Sequence, residues 1–146
     1  MKKTLIGILL GGVIATALCL PLSTSHAAAA PATQPSGRVF ELRTYTANPG
    51  KFDAMKERFQ KSILALFKKH NLEVVGFWTP LDAPNSSNTL IYILAHPSRE
   101  AADKNWTAFK EDPEKIRVWA ETEKDGVINL KVDSVYMTSL PWSPIK

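Results

Sequence analysis

Glu41, Arg43 and Tyr45 alternate along one short stretch, RVFELRTYT at 38–46, and bring a carboxylate, a guanidinium and a phenol together. At a period of two they share one side of a strand. There they can form an ion pair that fixes the register of two paired chains, or recognise an acidic or polar ligand. The ion pair takes precedence and the ligand site stays open. His96 closes the apolar run TLIYILAH, 89–96, before Pro97. It either lines a pocket at a strand end or simply ends the element. His70 could exchange a proton near neutral pH, but it follows Lys68 and Lys69 at a helix end, where it would cap carbonyls. Trp78, Tyr92 and Trp106 could wall an apolar cavity, and aromatic core packing accounts for them as well. The pocket candidates are therefore Arg43, Tyr45, Trp78, Tyr92, His96 and Trp106, with no catalytic residue assigned.

Other chemistries find no support. There is no His-x-x-x-His and no acidic cluster at ligand spacing, so neither a metal nor another cofactor is expected. No Gly-rich phosphate loop follows a strand. Ser86 and Ser87 lie in a polar loop without a nucleophile elbow. Cys19 is the only cysteine.

The first residues read as a secretory leader. Lys2 and Lys3 precede an apolar run, Leu5 to Leu20, and Ser25-His26-Ala27 supplies a small-x-small cleavage site. A retained membrane anchor fits less well, because Pro21 ends the run and a cleavage site follows. Lipidation at Cys19 lacks the small residue expected just before it. The expected division is a signal peptide at 1–27, a disordered Ala/Pro-rich linker at 28–37 and one domain at 38–146. The protein would be periplasmic or secreted, without a membrane span after cleavage and without a disulfide. The formal net charge of +4 falls to +2 when Lys2 and Lys3 leave, which gives no argument for nucleic acid.

The elements that must position the candidate residues follow from periodicity. After the strand at 38–46, Asn48 and Pro49 give an N-cap and a first helical residue. Phe52, Met55, Phe59, Ile63, Leu66 and Phe67 form a helical stripe. Asn71 accepts the left-handed conformation that stops the helix. Val74, Val75, Phe77 and Trp78 then read as a buried strand, and 89–96 as a central strand buried on both faces. Ser98 caps a second helix with Ala102, Trp106 and Phe109 inward. Asp112-Pro113 restarts it, and Ile116, Trp119 and Ala120 continue its apolar face. Val127 to Met137 alternates again, with Ile128, Leu130, Val132, Ser134 and Tyr136 on one side and Val135 and Met137 on the other. The tail should run extended, with Trp142 as an anchor.

Strand, helix, strand, strand, helix, strand is the ferredoxin-like βαββαβ order, an α+β fold with a four-stranded antiparallel sheet. Both helices cover one face, and a second copy is the simplest cover for the other. Glu41 and Arg43 are expected near that interface.

Five fragments in this order, VFELRTYTANPGK, LFKKHNLEVVGFWT, NTLIYILAHPSREAA, WTAFKEDPE and a tail ending in SP, together resemble the NIPSNAP family from about Val39 to Pro144. The resemblance implies a dimeric α/β barrel in which two ferredoxin-like sheets close on each other. It carries no agreed reaction. One departure falls in DPEKIRVWAETEKDG, where relatives often carry an aromatic near Lys115 and a serine at Thr122, so a pocket built on that helix is expected to differ. Three functions follow: an exported homodimer that binds a small, mostly apolar molecule; a cofactor-independent monooxygenase or isomerase; or an interaction module with no small ligand.

Overall fold

The computed structural model describes residues 37–146; the expected leader and all of the linker but Gly37 lie outside them. Strands β1 (Val39–Ala47), β2 (Glu73–Trp78), β3 (Thr89–His96) and β4 (Asn129–Thr138) form one sheet in the order β2-β3-β1-β4. Every neighbouring pair is antiparallel. Helical segments α1 (Phe52–Arg58) and α2 (Leu64–Lys69), joined by a π turn at Phe59–Ile63, make the first crossover. Helices α3 (Arg99–Glu111) and α4 (Pro113–Thr122) make the second. This is the ferredoxin-like arrangement.

The helical stripe packs as its spacing implies. Met55, Phe59, Ile63, Leu66 and Phe67 are buried against Tyr45, Leu90, Tyr92 and Leu94 of the sheet. Phe59 sits among Tyr45, Phe67, Phe77 and Tyr92, with ring centroids 5.4 to 6.2 Å away. Burying such a side chain contributes about 1.5–3 kcal/mol. Asn71, at φ 53°, ends the helix in the left-handed region and lets the chain enter β2. Ser98 caps α3 by accepting from the Ala101 N–H, and Asp112 caps α4 by accepting from Glu114 N–H.

Several expectations are corrected. The first helix begins at Phe52, not at Pro49. Gly50, at φ 73°, turns the chain there, and Asn48 donates to the Val127 carbonyl instead of capping. β2 is an edge strand with Val75 and Trp78 exposed. Its register shifts between Val74 and Gly76. In α4 the buried residue is Val118, while Ile116 and Ala120 face solvent. Leu130 and Val132 are exposed because β4 is the other edge. Trp142 is not a buried anchor: it is 79% exposed and borders a shallow cleft with Phe40, Val75 and Ile93.

The correction that matters most for function concerns β1. Its register sets Glu41, Arg43 and Tyr45 beside Leu94, Tyr92 and Leu90 of β3 and beside Tyr136, Ser134 and Val132 of β4. All of these share the helix-covered face, so Glu41 and Arg43 lie under α3. The opposite face presents Phe40, Leu42, Ile91, Ile93, Val135 and Met137, with the Lys131–Asp133 ion pair toward one end of β4.

Candidate functional site

Glu41 is fully buried in the middle of β1. An isolated carboxylate there would be strongly disfavoured, and the fold answers with four donors. Trp106 Nε1 and His96 Nε2 reach Oε2 at 2.7 and 3.1 Å. Ser134 Oγ and Arg43 Nη1 reach Oε1, each at 2.7 Å. Burial pushes this carboxyl up, but the hydrogen bonds from His96, Ser134, Trp106 and Arg43 outweigh it and hold the pKa at about 2. With both oxygens engaged and the charge held, Glu41 is a fixed anion and a poor proton acceptor at neutral pH.

Arg43 continues the network. Nη2 donates to the Tyr45 hydroxyl at 2.9 Å, and the guanidinium lies 4.4 Å over the Trp106 ring. Burial opposes its charge, but Tyr92, Tyr45 and Glu41 more than compensate and raise its pKa. Burial, followed by the neighbouring Glu41 charge, raises the Tyr136 phenol. Each of these groups is moved away from neutrality, so none is poised to shuttle a proton near pH 7.

Above this floor opens a cavity of about 430 Å³. β1 contributes Glu41, Arg43 and Tyr45, and β4 contributes Ser134 and Tyr136; α3 adds Arg99, Asp103, Trp106, Thr107, Phe109 and Lys110, and α4 adds Lys115 and Trp119. Helical spacing brings the α3 residues to one side, and the Asp112-Pro113 break lets α4 turn its own residues toward the same space.

Of the six candidates read from the sequence, Arg43, Tyr45 and Trp106 line the cavity. His96 is fully buried and reaches the cavity through Glu41 and through the Tyr136 ring, whose centroid lies 6.2 Å from its own. Tyr92 is also fully buried and packs behind it, among Tyr45, Phe59, Phe67 and Phe77. Trp78 does not belong to it. It stands opposite Ile91 on the other face of the sheet, and a methyl group at Gly76 would meet its ring at 2.7 Å. His70 does not cap carbonyls with its ring: Nε2 pairs with Asp112 at 2.6 Å and ties the end of α2 to the α3–α4 junction. Sequence reasoning did not select Arg99, Lys110 and Lys115, because charged residues on amphipathic helices read as solvated, and it read Trp119 only as part of an apolar face. Ser134 and Tyr136 could have been found by pairing the two alternating strands.

Among the described residues, no group of three His, Cys, Asp or Glu side chains could hold a metal ion, and no helix is long and apolar enough to cross a membrane.

Residues 40–144 match the NIPSNAP family model. Solved structures repeat the fold. A NIPSNAP family protein of unknown function from Agrobacterium tumefaciens aligns with a TM-score of 0.65 at 18% identity, over 77% of this chain and 96% of that one. A second NIPSNAP family protein from the same organism gives 0.65 at 15%, over 75% and 99%. An uncharacterized NIPSNAP-like domain protein from Burkholderia xenovorans gives 0.63 at 12%, over 75% and 90%. At these identities the likeness is one of fold. No match is found among curated proteins.

Proposed function

The chain belongs to the NIPSNAP family, and we propose that it is an exported homodimer that binds a small molecule in the cavity between its sheet and helices α3 and α4. The observation that carries this reading is the cavity itself. Its volume, about 430 Å³, lies in the range of roughly 300–1,000 Å³ typical of ligand sites; clefts of about 470 Å³ elsewhere on the domain share that range, so the floor is what distinguishes it. Its floor is the Glu41–Arg43 ion pair, whose carboxylate is fully buried and accepts four hydrogen bonds. Such a floor is rigid, because moving either charge would leave the other desolvated and unpaired.

Binding is favoured over catalysis. A proton-transfer mechanism needs a group near neutrality, and Glu41, held at about 2, has moved the other way. The homodimer reading is supported by the uncovered sheet face, where Val135 is 53% exposed and Val75 39%. A contiguous apolar face of that kind is rare on a soluble monomer, and a two-fold pairing covers it with one contact type. Export is supported by the leader-like sequence at 1–27.

Native mass spectrometry of the protein purified from its own cell envelope or medium tests the reading. The expected spectrum is a dimer retaining a small organic molecule, which is lost from Thr107→Trp, a substitution that fills the cavity mouth. A bare wild-type protein that also binds nothing from a panel of small aromatic molecules would overturn it.

A further inference from the structure

The cavity's cations outnumber its anions. Arg43, Arg99, Lys110 and Lys115 face only Glu41 and Asp103, and Glu41 is already engaged by Arg43, His96, Ser134 and Trp106. Asp103 takes the Nε of Arg99, with its two oxygens at 3.2 and 3.3 Å, which leaves the outer edge of that guanidinium open. Lys110 and Lys115 meet no carboxylate among the described residues. Lys115 rests instead on the Trp119 ring, its Nζ 4.4 Å from the centroid. Arg99 likewise covers the Tyr136 ring at 3.5 Å. A ring face steers a cation without neutralising its charge. The Lys110 and Lys115 ammonium groups therefore stay charged without a carboxylate partner beside a cavity lined by Trp106, Phe109, Trp119 and Tyr136.

We infer that the ligand is a flat organic anion, an aromatic or conjugated carboxylate. Its ring would lie among these aromatic walls and its charge would meet Lys110, Lys115 and the free edge of Arg99. The mostly apolar ligand expected from the sequence would leave these cations partly desolvated with nothing gained. A strongly polar ligand would not use the aromatic walls. The inference rests on the cavity being a binding site.

Calorimetric titration with two isosteres separates the two claims. Naphthoate and naphthamide share a ring and differ in charge. Naphthoate should bind about tenfold more tightly than naphthamide. The advantage should be largely lost in Lys110→Gln/Lys115→Gln, where only Arg99 remains to meet the charge, and return in Lys110→Arg/Lys115→Arg. Both positions lie at the cavity mouth, away from the core, and an unchanged melting temperature verifies the fold. Equal binding of the two probes overturns the anion inference and leaves the cavity reading standing. Binding of neither at millimolar concentration overturns both. A naphthoate preference that survives undiminished in the Gln variant places the charge recognition elsewhere and overturns the assignment to the lysines.

Discussion

Trp106 Nε1 donates to Glu41 Oε2 across 2.7 Å, so one hydrogen bond ties helix α3 to the centre of the sheet beneath the cavity. The same carboxylate holds Arg43, Ser134 and His96, and its loss would release all four. Glu41→Gln leaves the Arg43 charge buried without its counterion, and the expected loss of stability is about 3–5 kcal/mol, read from urea melts at neutral pH. The folded pKa of Glu41 is depressed to about 2 from an ordinary 4.5. Its contribution is therefore complete above pH 4.5 and is lost as the pH falls through 2. Wild type should lose stability across that window more steeply than Glu41→Gln. Parallel acid profiles would mean that Glu41 does not carry the charge assigned to it.

Phe59 lies at the meeting point of the helical stripe and the sheet. Removing its ring leaves a cavity bordered by Tyr45, Phe67, Phe77 and Tyr92. Phe59→Ala should cost about 3–5 kcal/mol. A change below about 1 kcal/mol would contradict the packing described.

The fold was legible in the sequence because it depends on periodicity. The alternation through Glu41, Arg43 and Tyr45, the stripe from Phe52 to Phe67 and the caps at Ser98 and Asp112 all appear where local pattern put them. What local pattern does not contain is which face of β1 the helices take. Glu41 and Arg43 are polar, so they read as the uncovered side, yet a carboxylate with four donors is stable under a helix. That placement depends on Trp106 and Ser134, which are 65 and 93 residues away. Trp78 misled for the opposite reason. Its size suggests burial, but β2 is an edge strand and the ring lies over Gly76.

The dimer prediction changes with that correction. The interface should involve Leu42, Ile93 and Val135, on the face away from the helices. Val135→Asp introduces a charge directly into it and should shift the protein from dimer to monomer in sedimentation velocity at micromolar concentration. Arg43→Glu acts on the helix-covered face and should lower the melting temperature without selectively splitting the dimer. A monomeric wild type would remove the two-fold pairing from the account.

Export predicts a mature chain that begins near Ala28. Amino-terminal sequencing of protein recovered outside the cytoplasm reads this directly. A retained Met1, or a lipid on Cys19, would contradict it.

The central claim is that the cavity, rather than the exposed sheet face, takes the ligand. The chain has four tryptophans, which divide evenly between the two places. Trp106 and Trp119 line the cavity, while Trp78 and Trp142 are exposed outside it. An NMR titration that follows the four indole N–H resonances as naphthoate is added therefore locates the ligand. The account predicts that the Trp106 and Trp119 resonances shift while those of Trp78 and Trp142 hold still. Shifts confined to Trp78 and Trp142, or no shift at all, would contradict it.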